Sequence, residues 1–379
     1  MRSLYLDYNA TTPVAPSVLE AMEPFFCEHY GNPSSSHALG RACQEAVQDA
    51  RAQVAALLDA DRDEIVFTSG GTESNNLAIK GVMMQQFDSP KGHLIISAIE
   101  HPATVQPARF LQKLGYGLTV VRCNPHGVVD PEDVRAALRP ETRLISIMHA
   151  NNETGAIQPI REIAEIAHAH GALCHTDAAQ SAGKISTSIE ELAVDLLSVA
   201  GHKMYAPKGV GALYVRRQVR LDPVLHGAGH EGGLRAGTEN TPYLAGLGKA
   251  ALMAWKNLPD SGERLTELRD RLQARLQQAL GEKFTVNSDK ALRLPNTLSA
   301  NFLGVSGGEL LARIPELCAS TGSACHSGAV SMSPTLEAME LDPEHARGTV
   351  RLSLGWHTSE EELERAAELL IGAWEALTQ

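Results

Sequence analysis

The sequence contains no run of about eighteen apolar residues, the length a membrane-spanning helix needs. It also has no Cys-x-x-Cys pair. The first absence argues against a helical membrane protein, and the polar opening from Met1 to Pro13 does not read as a secretory leader, so a cytoplasmic location is expected. The six cysteines stand apart at 27, 43, 123, 174, 318 and 325, in a chain of 379 residues that is large enough to need no covalent staples. Disulfides are therefore not expected. Two short fragments, His168-Ala169-His170 and Cys123 with His126, lack the matching partners a zinc site requires, and no metal is expected. Basic charge is also short. With 33 Lys and Arg against 45 Asp and Glu, the net charge of -12 argues against direct binding to nucleic acid or to an anionic membrane. Internal repeats and low-complexity tracts are absent as well.

What is present is the composition of a globular enzyme, with 43% hydrophobic and 21% charged residues. Strand-like segments near 65, 95, 120, 146, 173, 197 and 213 alternate with helical stretches, the pattern of a mostly parallel sheet in an α/β fold. Helices are expected over 17–29, 41–58, 264–280 and 360–377. The second places Val47, Ala50, Val54, Leu57 and Leu58 on one face, a stripe read as core. The chain exceeds one compact core, so two domains are expected. These are a large one over 15–255 and a smaller α+β one built from 1–14 with 256–379. The stretch 223–237, with five glycines, reads as a loop leading to Thr238.

Four segments place reactive groups at strand ends. An apolar run over 193–200, broken by Asp195, ends in Gly201-His202-Lys203. A lysine delivered to a cleft in this way can act as a carbonyl-condensing amine, as in pyridoxal phosphate enzymes. In isolation it reads as an ordinary surface lysine. Asp177, in Cys174-His175-Thr176-Asp177, lies 26 residues earlier, one βαβ step away, where a carboxylate can pair with a protonated pyridine nitrogen. Gln180 could donate to the phenolic oxygen of the same ring. Thr68-Ser69-Gly70-Gly71-Thr72 follows a strand over 64–67 and opens a helix. Its glycines and hydroxyls suit a phosphate, with Gly71 and Thr72 as ligands, although the lysine of a Walker loop is missing. His101 follows a strand over 93–97 and could stack on a ring and move protons.

Together these residues resemble the NifS-type cysteine desulfurases of the class V aminotransferase group, which are pyridoxal phosphate enzymes. The resemblance runs from Leu4-Tyr5-Leu6-Asp7-Tyr8-Asn9-Ala10-Thr11-Thr12-Pro13 through Gly31-Asn32-Pro33-Ser34-Ser35 and Ala150-Asn151-Asn152-Glu153-Thr154-Gly155. It continues through Arg235-Ala236-Gly237-Thr238-Glu239-Asn240 to Arg351-Leu352-Ser353-Leu354-Gly355, nearly the whole chain. The resemblance implies an aminotransferase-like fold in which Lys203 carries the cofactor covalently. His101 would stack on its ring, Asp177 and Gln180 would contact the ring nitrogen and phenolic oxygen, and Thr72 and His202 would bind phosphate. Thr238 would reach the phosphate of a neighbouring subunit, which implies a homodimer. Asn152 and Arg351, with Asn9, would hold L-cysteine, the guanidinium gripping its carboxylate. Cys325, in Thr321-Gly322-Ser323-Ala324-Cys325-His326-Ser327-Gly328, would take the sulfur as a persulfide and pass it to an acceptor protein. The small residues around it are expected to form a loop without a packed element, and the 26 residues to Arg351 resemble the long-loop desulfurases.

Three features depart from the family pattern. Ala200 stands where many desulfurases carry a phosphate-binding serine, and His326 follows the cysteine where a small residue is common. Both are familiar in selenocysteine lyases, which are kept as the alternative. The chain also stops soon after 377, short of the tail that often engages an iron-sulfur scaffold, so that partnership is in doubt. Another class V activity, a transaminase or epimerase, would need Lys203 but not Cys325. A non-catalytic relative would be expected to have lost Lys203 or Asp177.

Overall fold

The computed structural model describes residues 3–85, 91–321, 323–326 and 329–379, apart from the side chains of 323–326 and 329–331. A seven-stranded sheet forms its centre: β1 (Ile65–Thr68), β2 (His93–Ser97), β3 (Gly117–Val121), β4 (Thr142–Ser146), β5 (Leu173–Asp177), β6 (Leu196–Ala200) and β7 (Gly211–Val215). The strand order is β1-β7-β6-β5-β4-β2-β3, and β7 alone runs antiparallel to its neighbours. Each strand is a short apolar run because both faces of the sheet are covered. Side chains alternate between the faces: Ile95, Ile145, Leu197 and Tyr214 enter one core, and Leu94, Ile96, Leu144, Leu196 and Leu213 enter the other. β1, β2, β4, β5 and β6 all end at one edge, where ligands bind in open α/β sheets.

A third core surrounds a four-stranded antiparallel sheet of Ser320–Thr321, Thr349–Ser353, Thr297–Phe302 and Phe284–Val286, in that order. The Glu360–Thr378 helix covers it with Leu363, Ala366, Ala367 and Leu370. Leu4 and Leu6 also join this core, although they are about 300 residues from most of it in sequence.

The helical expectations hold with instructive differences. Segment 17–29 forms two short helices, Pro16–Met22 and Pro24–Cys27, because Pro24 restarts the chain at the first position of a new helix. The 41–58 helix begins earlier, at Ala38, where the His37 side chain caps it by accepting from the Gly40 N–H, and its expected stripe is buried. The helix expected over 264–280 is the second half of a forty-residue helix, Thr241–Leu280, with Pro259 inside it. Leu244, Leu247, Ala250 and Ala251 pack in the large-sheet core that holds Ile95 and Leu197, and Leu265, Leu268, Leu272 and Leu276 in the core of the four-stranded sheet, so one rod crosses the boundary expected after 255.

The segment of Cys325 is not irregular. Ser323–His326 pairs antiparallel with Ala329–Met332, setting Cys325 opposite Val330. Main-chain pairing forms such a ribbon without large side chains. The thiol of Cys325 lies outside the described side chains.

Candidate active site

A cavity of about 340 Å³ opens at the carboxyl edge of the large sheet. It brings together Lys203, His101, Asp177, Gln180, His202, Gly71, Thr72, Asn9, Asn152 and Arg351, residues spread over the sequence from 9 to 351. Ala200 also lines it. Thr238 does not: it lines a neighbouring cleft with Ser69, Gly209 and Arg235.

Lys203 closes the one-turn helix Gly201–Lys203 that follows β6. Its ammonium donates to the backbone carbonyls of Asn9 at 2.6 Å and Ala10 at 2.8 Å. Burial first, and then the Arg351 cation, lower its pKa from 10.5 to about 8, with Asp177 and Asp7 opposing. A sizeable fraction of the amine is therefore unprotonated, and nucleophilic, near neutral pH.

Asp177 ends β5 and is buried. One carboxylate oxygen accepts from Asn75 Nδ2 at 2.6 Å and the other from the Ala179 N–H at 2.9 Å. Asn75 sits on the Gly71–Met83 helix and is buried. In Thr72-Glu73-Ser74-Asn75-Asn76 no local pattern sets it apart from its polar neighbours. His101 caps the Pro102–Lys113 helix, and its Nδ1 accepts from the Ala103 N–H at 3.1 Å. The proton of the neutral ring is thereby left on Nε2. Desolvation, followed by Lys203, lowers its pKa, against the pull of Asp177.

The phosphate-like corner uses backbone geometry. Gly70 precedes the Gly71–Met83 helix at φ 144°, a conformation that side chains resist, and turns the chain so that the first amides of the helix face the cavity. A Cβ on Gly71 would come within 3.2 Å of the Ala200 Cβ, so both positions are kept small by their mutual approach. Across the corner, His202 Nδ1 lies 3.2 Å from Thr11 Oγ1. Burial and the Lys203, Lys208 and Lys184 cations push its pKa to about 4.

Arg351 forms the opposite wall. Its Nη1 donates to the Asn152 carbonyl at 2.9 Å, and its Nη2 to Asp7 Oδ1 at 2.7 Å and Ser320 Oγ at 2.9 Å. Nε is buried without a partner among the described residues. Asn9 faces Lys203 through its carbonyl, while its side chain is engaged by Asn296 and Thr297 at 3.0 and 2.9 Å. Sequence reasoning missed Asp7 and Lys184 as parts of this site. The Lys184 Nζ donates to Gln180 Oε1 at 3.1 Å and to its backbone carbonyl at 3.0 Å. Glu100, next to His101, was also missed. Its buried carboxyl accepts from Ser97 Oγ and the Met148 N–H, and burial raises its pKa to about 8. The fragments set aside as metal sites diverge: His168 meets Asp195, His170 the Arg139 carbonyl, Cys123 the Ala338 carbonyl and His126 the Asp289 carboxylate.

This donor set fits pyridoxal phosphate. An amine that donates to carbonyls, a buried carboxylate and an imidazole lining the same cavity, and an amide-rich helix start match the aldehyde, ring and phosphate of that cofactor. Residues 4–366 match the model of the aminotransferase class-V family. The chain belongs to that family. A cysteine desulfurase IscS of Dictyoglomus turgidum is 45% identical over 372 residues, covering 97% of this chain and 94% of the relative. A cysteine desulfurase of Nostoc sp. is 44% identical over 98% of this chain and 92% of its own length. Among solved structures, a NifS-like protein superposes with a TM-score of 0.91 at 36% identity over the whole of both chains. SspA, solved in complex with cysteine, superposes at 0.82 with 38% identity, over 92% of this chain and 98% of its own. These class V relatives place the chain with the cysteine desulfurases and do not favour the selenocysteine lyase alternative, despite Ala200 and His326.

Proposed function

We propose that this cysteine desulfurase converts L-cysteine to L-alanine and stores the sulfur as a persulfide on Cys325 for delivery to an acceptor protein. The observation that carries the reading is the Lys203 amine, which meets carbonyl oxygens at 2.6 and 2.8 Å and, among the described residues, has no carboxylate salt-bridge partner, in a cavity that also holds Asp177 and His101. Lys203, His101, Asp177, Gln180, Gly71, Thr72 and His202 would hold pyridoxal phosphate. Thr238, outside the cavity of its own chain, would serve the phosphate held by a second copy, which makes a homodimer the working unit. When bound, the cofactor supplies an electron sink for charge developing at the substrate α-carbon.

The chain's own groups divide the remaining work. Arg351 and Asn152 bind and orient the substrate carboxylate, with the guanidinium already fixed in direction by Asp7 and Ser320. Lys203, with its lowered proton affinity, takes the α-proton at Nζ and returns a proton to the product. His101, which lines the cavity with its free proton on Nε2, can donate to the substrate. The Cys325 thiolate forms an S–S bond to the substrate sulfur as the Cβ–S bond breaks. The electron pair left on Cβ takes up a proton to give the methyl group of alanine. The large sheet with its loops, over 15–255, would carry the cofactor, and 1–14 with 256–379 would carry the cysteine ribbon. No helix among the described residues is long and apolar enough to cross a membrane, and the enzyme is proposed to work in the cytoplasm.

Alanine release from L-cysteine and from L-selenocysteine, measured side by side for the intact protein and Cys325→Ala, tests the reading. Turnover of L-cysteine that collapses in the variant is expected. Activity confined to L-selenocysteine would overturn it.

A further inference from the structure

Gln180 presents a carboxamide whose two ends differ chemically, and two neighbours decide which end faces the cavity. Its Nε2 donates to the Asn9 carbonyl at 3.0 Å, the same oxygen that accepts from Lys203 Nζ at 2.6 Å. The amide N–H2 therefore lies on the Lys203 side. Its Oε1 points the other way and accepts from Lys184 Nζ at 3.1 Å. Turning the amide over would set its oxygen against the Asn9 carbonyl and its N–H2 against the ammonium, two repulsive contacts in place of two hydrogen bonds. Nε2 also has a second hydrogen, which no protein group among the described residues accepts.

Lys184 is half-buried and turned onto Gln180. It belongs to the turn after β5, four residues beyond Gln180, and it folds back onto that residue and donates to both of its oxygens. Burial, then the Lys203 and Arg351 cations, lower its pKa to about 7. The charged and titratable groups around this corner are thus Lys184, Lys203, Lys208 and Arg351 with His101 and His202, balanced on the Lys203 side by Asp177 and Asp7.

We propose that Lys184 is a positioning residue of the desulfurase: by holding the Gln180 oxygen it aims the free amide N–H at the oxygen of the group bound on Lys203, and its charge disfavours a proton there. The proposal rests on the reading of the cavity as a pyridoxal phosphate site. Both effects of Lys184 have one sign. Losing an N–H donor to a developing oxyanion makes that oxyanion hold the neighbouring proton more tightly, and so does losing a nearby cation.

The test is the pH midpoint of the visible absorption band of the protein loaded with pyridoxal phosphate, measured without substrate. Lys184→Met is expected to raise the midpoint by about 1 pH unit. In a Gln180→Ala background the same change is expected to raise it by less than half as much, because the amide that Lys184 aims is gone. Lys184→Arg, which keeps both donor and charge, is expected to stay near the parent midpoint. Should Lys184→Met not fold, Lys184→Gln, a neutral donor, carries the comparison and is expected to give a smaller rise. An intact band whose midpoint does not move in the Met or Gln variant overturns the inference, as do Lys184 and Gln180 shifts that add in full. A parent protein that folds yet develops no band overturns the cofactor reading itself, and is told apart from these outcomes by the parent alone.

Discussion

The two cations that face each other across the cavity are treated in opposite ways. Arg351 is given a counter-charge, Asp7 at 2.7 Å, and is locked by Ser320 and the Asn152 carbonyl. Lys203 donates, among the described residues, only to carbonyl oxygens, and burial with the Arg351 cation outweighs the opposing pull of Asp177 and Asp7. The difference separates binding from chemistry. A fixed, always-charged guanidinium suits a carboxylate that must be held in one orientation, while a buried amine whose nearby carboxylates do not offset its desolvation gives up its proton more readily and can form and break bonds.

Replacements can break this contrast one side at a time. Lys203→Ala is expected to lower alanine release by about a thousandfold or more, since both attachment of the cofactor and movement of the α-proton depend on that one nitrogen. A variant retaining a tenth of parental turnover would assign the chemistry elsewhere. Arg351→Ala should act on affinity instead, raising KM for L-cysteine roughly a hundredfold through the loss of charge-assisted hydrogen bonds while kcat changes less. Steady-state kinetics with L-cysteine in excess separate the two, and an equal fall in kcat would merge the roles the structure keeps apart.

Asp7→Asn removes the compensation itself. Because Asp7 raises the Lys203 pKa, its neutralisation should move that pKa below about 8, by less than about one unit given the partial screening of the cavity. The pH midpoint of amine labelling at Lys203 in cofactor-free protein measures this, and an upward movement would contradict the placement of Asp7.

An effect on stability rather than on turnover is expected at Glu100, whose pKa rises from 4.5 to about 8. Its native proton contributes stability that is fully present below about 4.5 and is lost as pH rises through about 8, because the unfolded chain releases the proton first. Glu100→Gln mimics the protonated acid and should lose this dependence. Denaturant midpoints of the two proteins should therefore draw apart, in favour of the variant, between pH 5 and 8. Parallel profiles would place an ionised carboxylate at that site.

The parts of this arrangement that were legible in the sequence are those coded locally. Lys203, Asp177, Thr72 and His101 each lie at or shortly after the end of a short strand-like segment, and the parallel sheet brings such ends to one edge. Asp7 and Arg351 meet across 344 residues, and Asn9 is held by Asn296 and Thr297 across 287 and 288, so no local pattern announces either contact. The long helix was misjudged for a different reason. Leu258-Pro259-Asp260-Ser261-Gly262 has the composition of a turn, yet the helix continues through it because its two halves are packed in two separate cores. The ribbon of Cys325 follows the same lesson in reverse: small residues suggested irregular chain, and main-chain pairing gave it order.

The most direct test of the central claim is to load the protein with pyridoxal phosphate, reduce it with borohydride and map the modified lysine by peptide mass spectrometry. Modification confined to the peptide bearing Lys203 is the expected result. A pyridoxyl group found instead on Lys184 or Lys208, the other lysines whose charge reaches this corner, would contradict the division of labour drawn here.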